Sequence, residues 1–204
     1  KPSELQSVLA PFASGTAATP VTAIDSSGIL VLRDNIANVK RMLEMIETLL
    51  DFSASRFKGA LPIAPVTADL HEVARAVTEE LRAANPGCEI ELTTRGDGRG
   101  RCDPARMAQV VSNLLNNAAK YTPNGGRLSL VGRREGHEAH VAVSDNGVGI
   151  PKEMLPEVFE MFSQVGRNLD RAQGGLGIGL TLVRRLTEMH GGRVMAESQG
   201  MGTG

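Results

Sequence analysis

Tryptophan is absent from this 204-residue chain, which has one tyrosine and five phenylalanines, so aromatics make up only 3% of it. Recognition of single-stranded nucleic acid by stacking bases on aromatic side chains is therefore poorly supported. A surplus of either charge is missing too: 22 Lys and Arg stand against 23 Asp and Glu, for a formal net charge of -1. Neither nucleic acid nor an anionic membrane is the expected partner of so balanced a chain. Cysteine is scarce, with Cys88 and Cys102 alone. A chain of this length folds without staples, so two reduced thiols in a reducing compartment are expected. No run approaches the ~18 apolar residues of a membrane span, and no secretory leader is recognisable. A cytoplasmic globular segment without membrane contact is left, in keeping with 41% hydrophobic and 22% charged residues. Because the sequence opens at Lys1-Pro2 and stops at Gly202-Thr203-Gly204, it is expected to belong to a longer chain, which could carry an anchor or a sensor.

What the chain does have is apolar periodicity and glycine. From Asn35 to Ser53 the residues Ile36, Val39, Leu43, Ile46 and Leu50 alternate at spacings of three and four, with Met42 and Leu49 alongside, which is a heptad seam. A first helix within Pro20 to Arg33 would pair with it. Residues 1–56 are thus expected to form a helical-hairpin dimerisation region; a helix packed on its own domain is the plainer alternative. Gly59, Pro62 and Pro65 mark residues 57–67 as a linker. Residues 68–204 then alternate between periods. Helices are expected over Ala68 to Ala84, from Asp103-Pro104 onward, over Lys152 to Phe162 and over Ile178 to His190. Strands are expected over Ile90 to Thr94, Arg127 to Arg133, Ala139 to Ser144 and Arg193 to Ser198, with a turn at Glu135-Gly136. Helices and strands sharing one core make an α/β sandwich.

Three constellations carry chemistry. On the helix ending at Tyr121, Asn113, Asn117 and Lys120 fall at i, i+4 and i+7 and share one strip of surface. That strip suits an amide oxygen on a hard divalent cation and an ammonium near phosphate. Asn is a mediocre helix former, so a plain solvated face explains poorly why Asn113, Asn116 and Asn117 crowd one helix. Second, Asp145 ends an alternating strand and is followed by Asn146-Gly147-Val148-Gly149-Ile150. Its carboxylate could accept from an exocyclic amine, although Asp-Asn-Gly is also a common turn. Third, Gly174-Gly175-Leu176-Gly177-Ile178-Gly179-Leu180 runs straight into a helix, where unpaired N–H groups favour phosphate. It lacks the Gly-Lys-Ser/Thr ending of a Walker loop and does not open a parallel crossover unit.

In this order the segments resemble the boxes of sensor histidine kinases. Asn113 to Pro123 resembles the N box, Asp145 to Ile150 the G1 box, Val158-Phe159-Glu160-Met161-Phe162 the F box and Gly174 to Leu180 the G2 box. Leu49-Leu50-Asp51-Phe52 looks like the end of the second dimerisation helix, and Gly200 to Gly204 like the start of a last glycine box. The likeness implies an ATP-binding domain of the histidine kinase, Hsp90, gyrase and MutL type, with ATP and Mg²⁺ as cofactors. By similarity Asn117 would ligate Mg²⁺, Asn113 and Lys120 would assist at the phosphates, and Tyr121 would lie near the nucleotide. Asp145 would receive the adenine amino group in a pocket shaped by Gly147, Gly149 and Ile150. Phe159 and Phe162 would anchor a lid over Ser163 to Gln173, and Gly174, Gly175, Leu176, Gly177, Ile178, Gly179 and Leu180 would line the phosphates. The implied partners are a second copy through the N-terminal helices, a response regulator receiver domain, and another kinase as a further option.

One departure bears on activity. Thr19-Pro20-Val21-Thr22-Ala23-Ile24 fits the later part of the family's phosphoacceptor box, which places the acceptor His on Gly15, and no histidine precedes His71. A natural variant, an altered chain and a misaligned degenerate segment are the three readings of that position; loss of the histidine is favoured. His190, before Gly191-Gly192, is read as a helix stop. Three functions compete: a histidine kinase core, a degenerate kinase that binds ATP and regulates a partner, and an ATP hydrolase of the gyrase or Hsp90 type. The hydrolases place a Glu four residues before the metal-binding Asn to activate water. Asn113 stands there instead, and an amide is no such base.

Overall fold

The computed structural model describes residues 1–13, 21–27, 29–35, 63–161, 163 and 177–202, together with residues 39, 42, 43 and 46. They fall into two compact units, one within residues 1–61 and a larger one within 62–165 and 177–204.

In the N-terminal unit, helix α1 (Pro2–Leu9) has Pro in its first turn and Glu4 beside the N-terminal ammonium at 2.9 Å. The helix expected within Pro20 to Arg33 is not formed. Val21–Ile24 (β1) and Ile29–Leu32 (β2) pair instead as an antiparallel hairpin. Both strands are dominated by β-branched and aliphatic residues, and Asp25-Ser26-Ser27 supplies the turn, so strand propensity prevails over a weak helical pattern. The hairpin is tied to α1 by Asp25, whose Oδ1 accepts from Ser3 N at 3.0 Å, and by Gln6, whose Oε1 accepts from Ala23 N at 3.1 Å. Leu9, Val21 and Met42 form a local core with Leu5, Leu30, Leu32, Val39 and Ile46 packed on it. Val39, Met42 and Ile46 therefore have a partner inside their own chain, while Leu43 remains 49% exposed. Ile36, Leu50 and Gly15 lie outside the described residues.

The larger unit is an α/β sandwich. Strand β3 (Val66–Asp69) pairs antiparallel with β5 (Arg99–Cys102), so the end of the expected linker is a strand. Helix α2 (Leu70–Ala84) follows, capped by Asp69 through its oxygen on His71 N. Strand β4 (Glu89–Arg95) runs parallel to β6 (Arg127–Glu135), which pairs antiparallel with β7 (Glu138–Asp145). Helix α3 (Pro104–Tyr121) crosses between them with Val110, Val111, Leu115 and Ala118 inward, a stripe at 3.6-residue spacing. Val111, Leu115 and Ala118 of that stripe and Ala74 and Leu81 of α2 meet Ile90, Leu128 and Leu130 of the sheet in one core. Each fully buried Leu there contributes roughly 1.5–3 kcal/mol by leaving water. Helix α4 (Gly179–Met189) packs on α3 and buries Thr181, Leu182, Val183 and Leu186.

Two expected elements differ. Lys152–Glu157 is a short 3-10 helix with Pro156 inside it, and proline removes the N–H that a longer α-helix needs. Residues 193–198 alternate in burial but join no ladder among the described residues.

Candidate functional site

Helix α3 can carry a polar strip because its core-facing residues occupy the opposite arc. Asn113, Asn117 and Lys120 are all half-buried. The Nδ2 of Asn113 donates to Gln109 O at 2.8 Å, which fixes the amide and turns its oxygen toward α4. A Cβ built on Gly179 would lie 2.8 Å from that oxygen and 3.9 Å from Asn117 Nδ2. The first residue of α4 therefore sits directly against both amides, at a distance only glycine allows. The Asn117 amide makes no hydrogen bond among the described residues. The Lys120 Nζ donates to the Tyr121 hydroxyl at 3.0 Å and stands 4.6 Å from the ring centroid.

The Asp145 loop is attached to the end of the same helix. Asp145 Oδ1 accepts from Gly147 N at 2.9 Å, and Val148 N donates to Tyr121 O at 3.1 Å. A Cβ on Gly147 would come within 2.4 Å of Tyr121 O. Absence of a side chain is thus what lets the loop close on α3. Gly149 at φ 71° and Gly177 at φ 68° adopt the left-handed conformation that glycine takes without steric cost. Ile150 N donates to Ser198 Oγ at 3.0 Å and Gly202 N to Val148 O at 2.7 Å, so residues 198–202 brace the loop from behind. Nothing in the local pattern of Ser198 signals that contact, because it joins residues 48 positions apart.

Phe159 is buried and Ile178 is 1% exposed. Leu180 is half-buried in the first turn of α4. Among the described residues no side chain caps the N-terminus of α4, and a helix N-terminus offers N–H groups to an anion. Phe162, Gly174, Gly175 and Leu176 lie outside the described residues, as does the segment expected to form a lid, apart from Ser163.

Two buried hydroxyls, Thr122 Oγ1 and Thr181 Oγ1, lack a partner among the described residues. Among those residues there is also no group of three His, Cys, Asp or Glu suited to a metal ion. A divalent cation here would have to be held by amide and ligand oxygens, which suits a hard ion that shares its coordination with phosphate. Asn113, Asn117 and the N-terminus of α4 fit an anionic ligand with such an ion.

Residues 102–204, half of the chain, match the family of histidine kinase-, DNA gyrase B- and HSP90-like ATPases. The chain belongs to this family. Within it the similarity is to sensor histidine kinases. The circadian input-output histidine kinase CikA of Synechococcus elongatus is 34% identical over 169 residues, covering 78% of this chain and 22% of its own length. The chain thus spans about a fifth of that relative. The mycobacterial sensor histidine kinase MprB is 29% identical with a TM-score of 0.55, over 63% of this chain and 81% of that structure. Histidine kinase ThkA, solved in complex with the response regulator protein TrrA, shares the fold at a TM-score of 0.61 and 22% identity, over 79% of this chain and 44% of that one. The larger unit is a catalytic ATP-binding domain of the sensor histidine kinase type. No helix among the described residues is long and apolar enough to cross a membrane.

Proposed function

We propose that the chain binds Mg-ATP in a two-component sensor kinase and transfers, or controls the transfer of, the γ-phosphoryl group to a histidine. The observation that carries this reading is the contact of Gly179 with the amides of Asn113 and Asn117. It joins the expected metal ligand to a helix N-terminus that favours phosphate. In this reading Asn117 holds Mg²⁺, Asn113 and Lys120 face the phosphates, and Gly177 to Leu180 close over them. Asp145 accepts from the adenine amine, with Gly147, Gly149 and Ile150 shaping its pocket and Tyr121 beside it. The ion supplies charge neutralisation on the phosphates when bound; the chain's own part is to orient the nucleotide and exclude water. A receiver domain is the partner this reading implies, as ThkA is solved with a response regulator. Self-association would rest on the segment that bears exposed Leu43.

A second reading is favoured by the N-terminal unit. Val21–Ile24, which follows the expected phosphoacceptor position, is a strand and not a helix, which supports reading that box as degenerate. His71, the first histidine of the sequence, has its ring 2.6 Å from a Cβ built on Gly98 and 3.1 Å from one on Gly132, wedged between the two. It is poorly placed to accept a phosphoryl group. The chain would then bind ATP and act on a histidine of another chain or regulate a partner kinase. Incubation with γ-labelled ATP and Mg²⁺ separates the two readings. Bound ATP without protein label supports the second; acid-labile, base-stable label lost in Asn117→Ala supports self-phosphorylation. No binding would overturn both.

A further inference from the structure

We infer that His190 is a positioning residue for the phosphate side of the nucleotide site, acting along the whole length of α4; this rests on the proposed function. The imidazole bridges two elements. Its Nε2 lies 3.0 Å from Asp103 N, an N–H donor, so Nε2 accepts. Its Nδ1 lies 2.7 Å from Leu186 O, an acceptor, so Nδ1 carries the proton and donates. The two contacts dictate one neutral tautomer. One nitrogen holds the last turn of α4 and the other holds the residue that caps α3.

Asp103 is itself firmly placed. Its Oδ1 accepts from Ala105 N and Arg106 N, both at 3.1 Å, and its Oδ2 from Ala64 N at 2.9 Å. The chain beyond His190 turns away at once, with Gly191 at φ 76° and Gly192 N donating to Thr187 O at 3.0 Å. His190 is therefore the point at which the end of α4 is pinned to the start of α3.

The other end of α4 is where the chemistry lies. With a rise of about 1.5 Å per residue, Asp103 to Asn113 spans about 15 Å along α3 and Gly179 to His190 about 16 Å along α4. The two helices run antiparallel, and these lengths match. Pinning His190 on Asp103 thus sets how far α4 slides along α3, and so where Gly179 meets Asn113 and Asn117. The buried face of α4 is mostly apolar, with Leu182, Val183 and Leu186 beside Thr181, and apolar contacts are non-directional. A directional bond at His190 adds to side-chain packing in favouring one register.

The test compares ATP and AMP affinities by titration calorimetry on the unaltered chain, His190→Ala, His190→Asn and His190→Gln, each below its own melting temperature. Gln can present an oxygen where Nε2 accepts; Asn reaches only the Nδ1 position. Because α4 faces the phosphates while Asp145 faces the base, loss of the pin should weaken ATP more than AMP. His190→Ala and His190→Asn are expected to reduce the ATP-to-AMP affinity ratio by about fivefold, the equivalent of one hydrogen bond, and His190→Gln to keep it. A merely structural histidine would lower the melting temperature and leave the ratio unchanged in all three, which overturns the assignment alone. Failure of the unaltered chain to bind ATP would overturn the proposed function as well.

Discussion

Replacing Gly179 by alanine should separate stability from ligand binding. The added methyl would lie 2.8 Å from Asn113 Oδ1 and must be accommodated by pushing that amide back by about 0.7 Å to reach van der Waals distance. The amide is held by its bond to Gln109 O, worth about 1 kcal/mol net. Alanine is better than glycine in a helix by up to about 1 kcal/mol. The two terms nearly cancel, so the melting temperature should move by no more than about 4 °C. Nucleotide binding has no such compensation, because both amides and the first turn of α4 lose their arrangement together. ATP affinity is expected to fall at least about tenfold, or 1.4 kcal/mol. Gly147→Ala is the counterpart: its methyl would meet backbone, 2.4 Å from Tyr121 O, which cannot yield locally. Overpacking there should cost about 1–3 kcal/mol of stability. Thermal unfolding followed by circular dichroism and calorimetric titration with ATP give both quantities. Undiminished ATP affinity in a well-folded Gly179→Ala variant would refute the reasoning.

Asp103→Ala should cost about 1–2 kcal/mol through loss of the N-cap of α3, read from urea unfolding. Backbone donors, Ala64 N first and Arg106 N and Ala105 N after desolvation opposes them, hold the Asp103 carboxyl below its usual range. A depressed folded value means the stabilisation is fully present above the unfolded carboxylate value and is lost as pH falls through the folded one. The gap between wild type and variant should therefore be constant near neutrality and close below about pH 4; a gap that widens in acid would contradict this. Cys102 is 5% exposed, with its thiol pushed up by burial, whereas Cys88 is half-buried. A thiol reagent should modify Cys88 first and Cys102 only on unfolding, as mass spectrometry of Cys88→Ser would show. Tyr121 is the only tyrosine of a chain without tryptophan, so ATP binding should alter its fluorescence, and Asp145→Ala should abolish the change at the same ATP concentration.

The sandwich was legible because its elements have strong periods and clear ends. Asp103-Pro104 both caps and opens α3 as expected, and the structure extends β6 and β7 by only one or two residues beyond their alternating patterns. The helix expected within Pro20 to Arg33 was misread because the pairing of Val21–Ile24 with Ile29–Leu32, and the packing of Val39 and Met42 beside Val21, appear only on folding. Helix α1 was not expected, because its eight residues are too short to stand out by periodicity. At the site, residue types and spacing pointed to Asn113, Asn117 and Asp145, and the fold brings their segments together around Tyr121 and Gly179. The pin of His190 on Asp103 and the brace of Ser198 on Ile150 were not legible. Each joins residues far apart in sequence, 87 and 48 positions respectively, and only folding creates the neighbour.

The central claim is that Asn117 and the N-terminus of α4 form a Mg-nucleotide site. Calorimetric titration of ATP with and without Mg²⁺, on the unaltered chain and on Asn117→Ala, tests it most directly. Binding that is strengthened by Mg²⁺ in the unaltered chain, with that strengthening lost in Asn117→Ala, is the predicted result. Equal Mg²⁺ dependence in both proteins would contradict the claim.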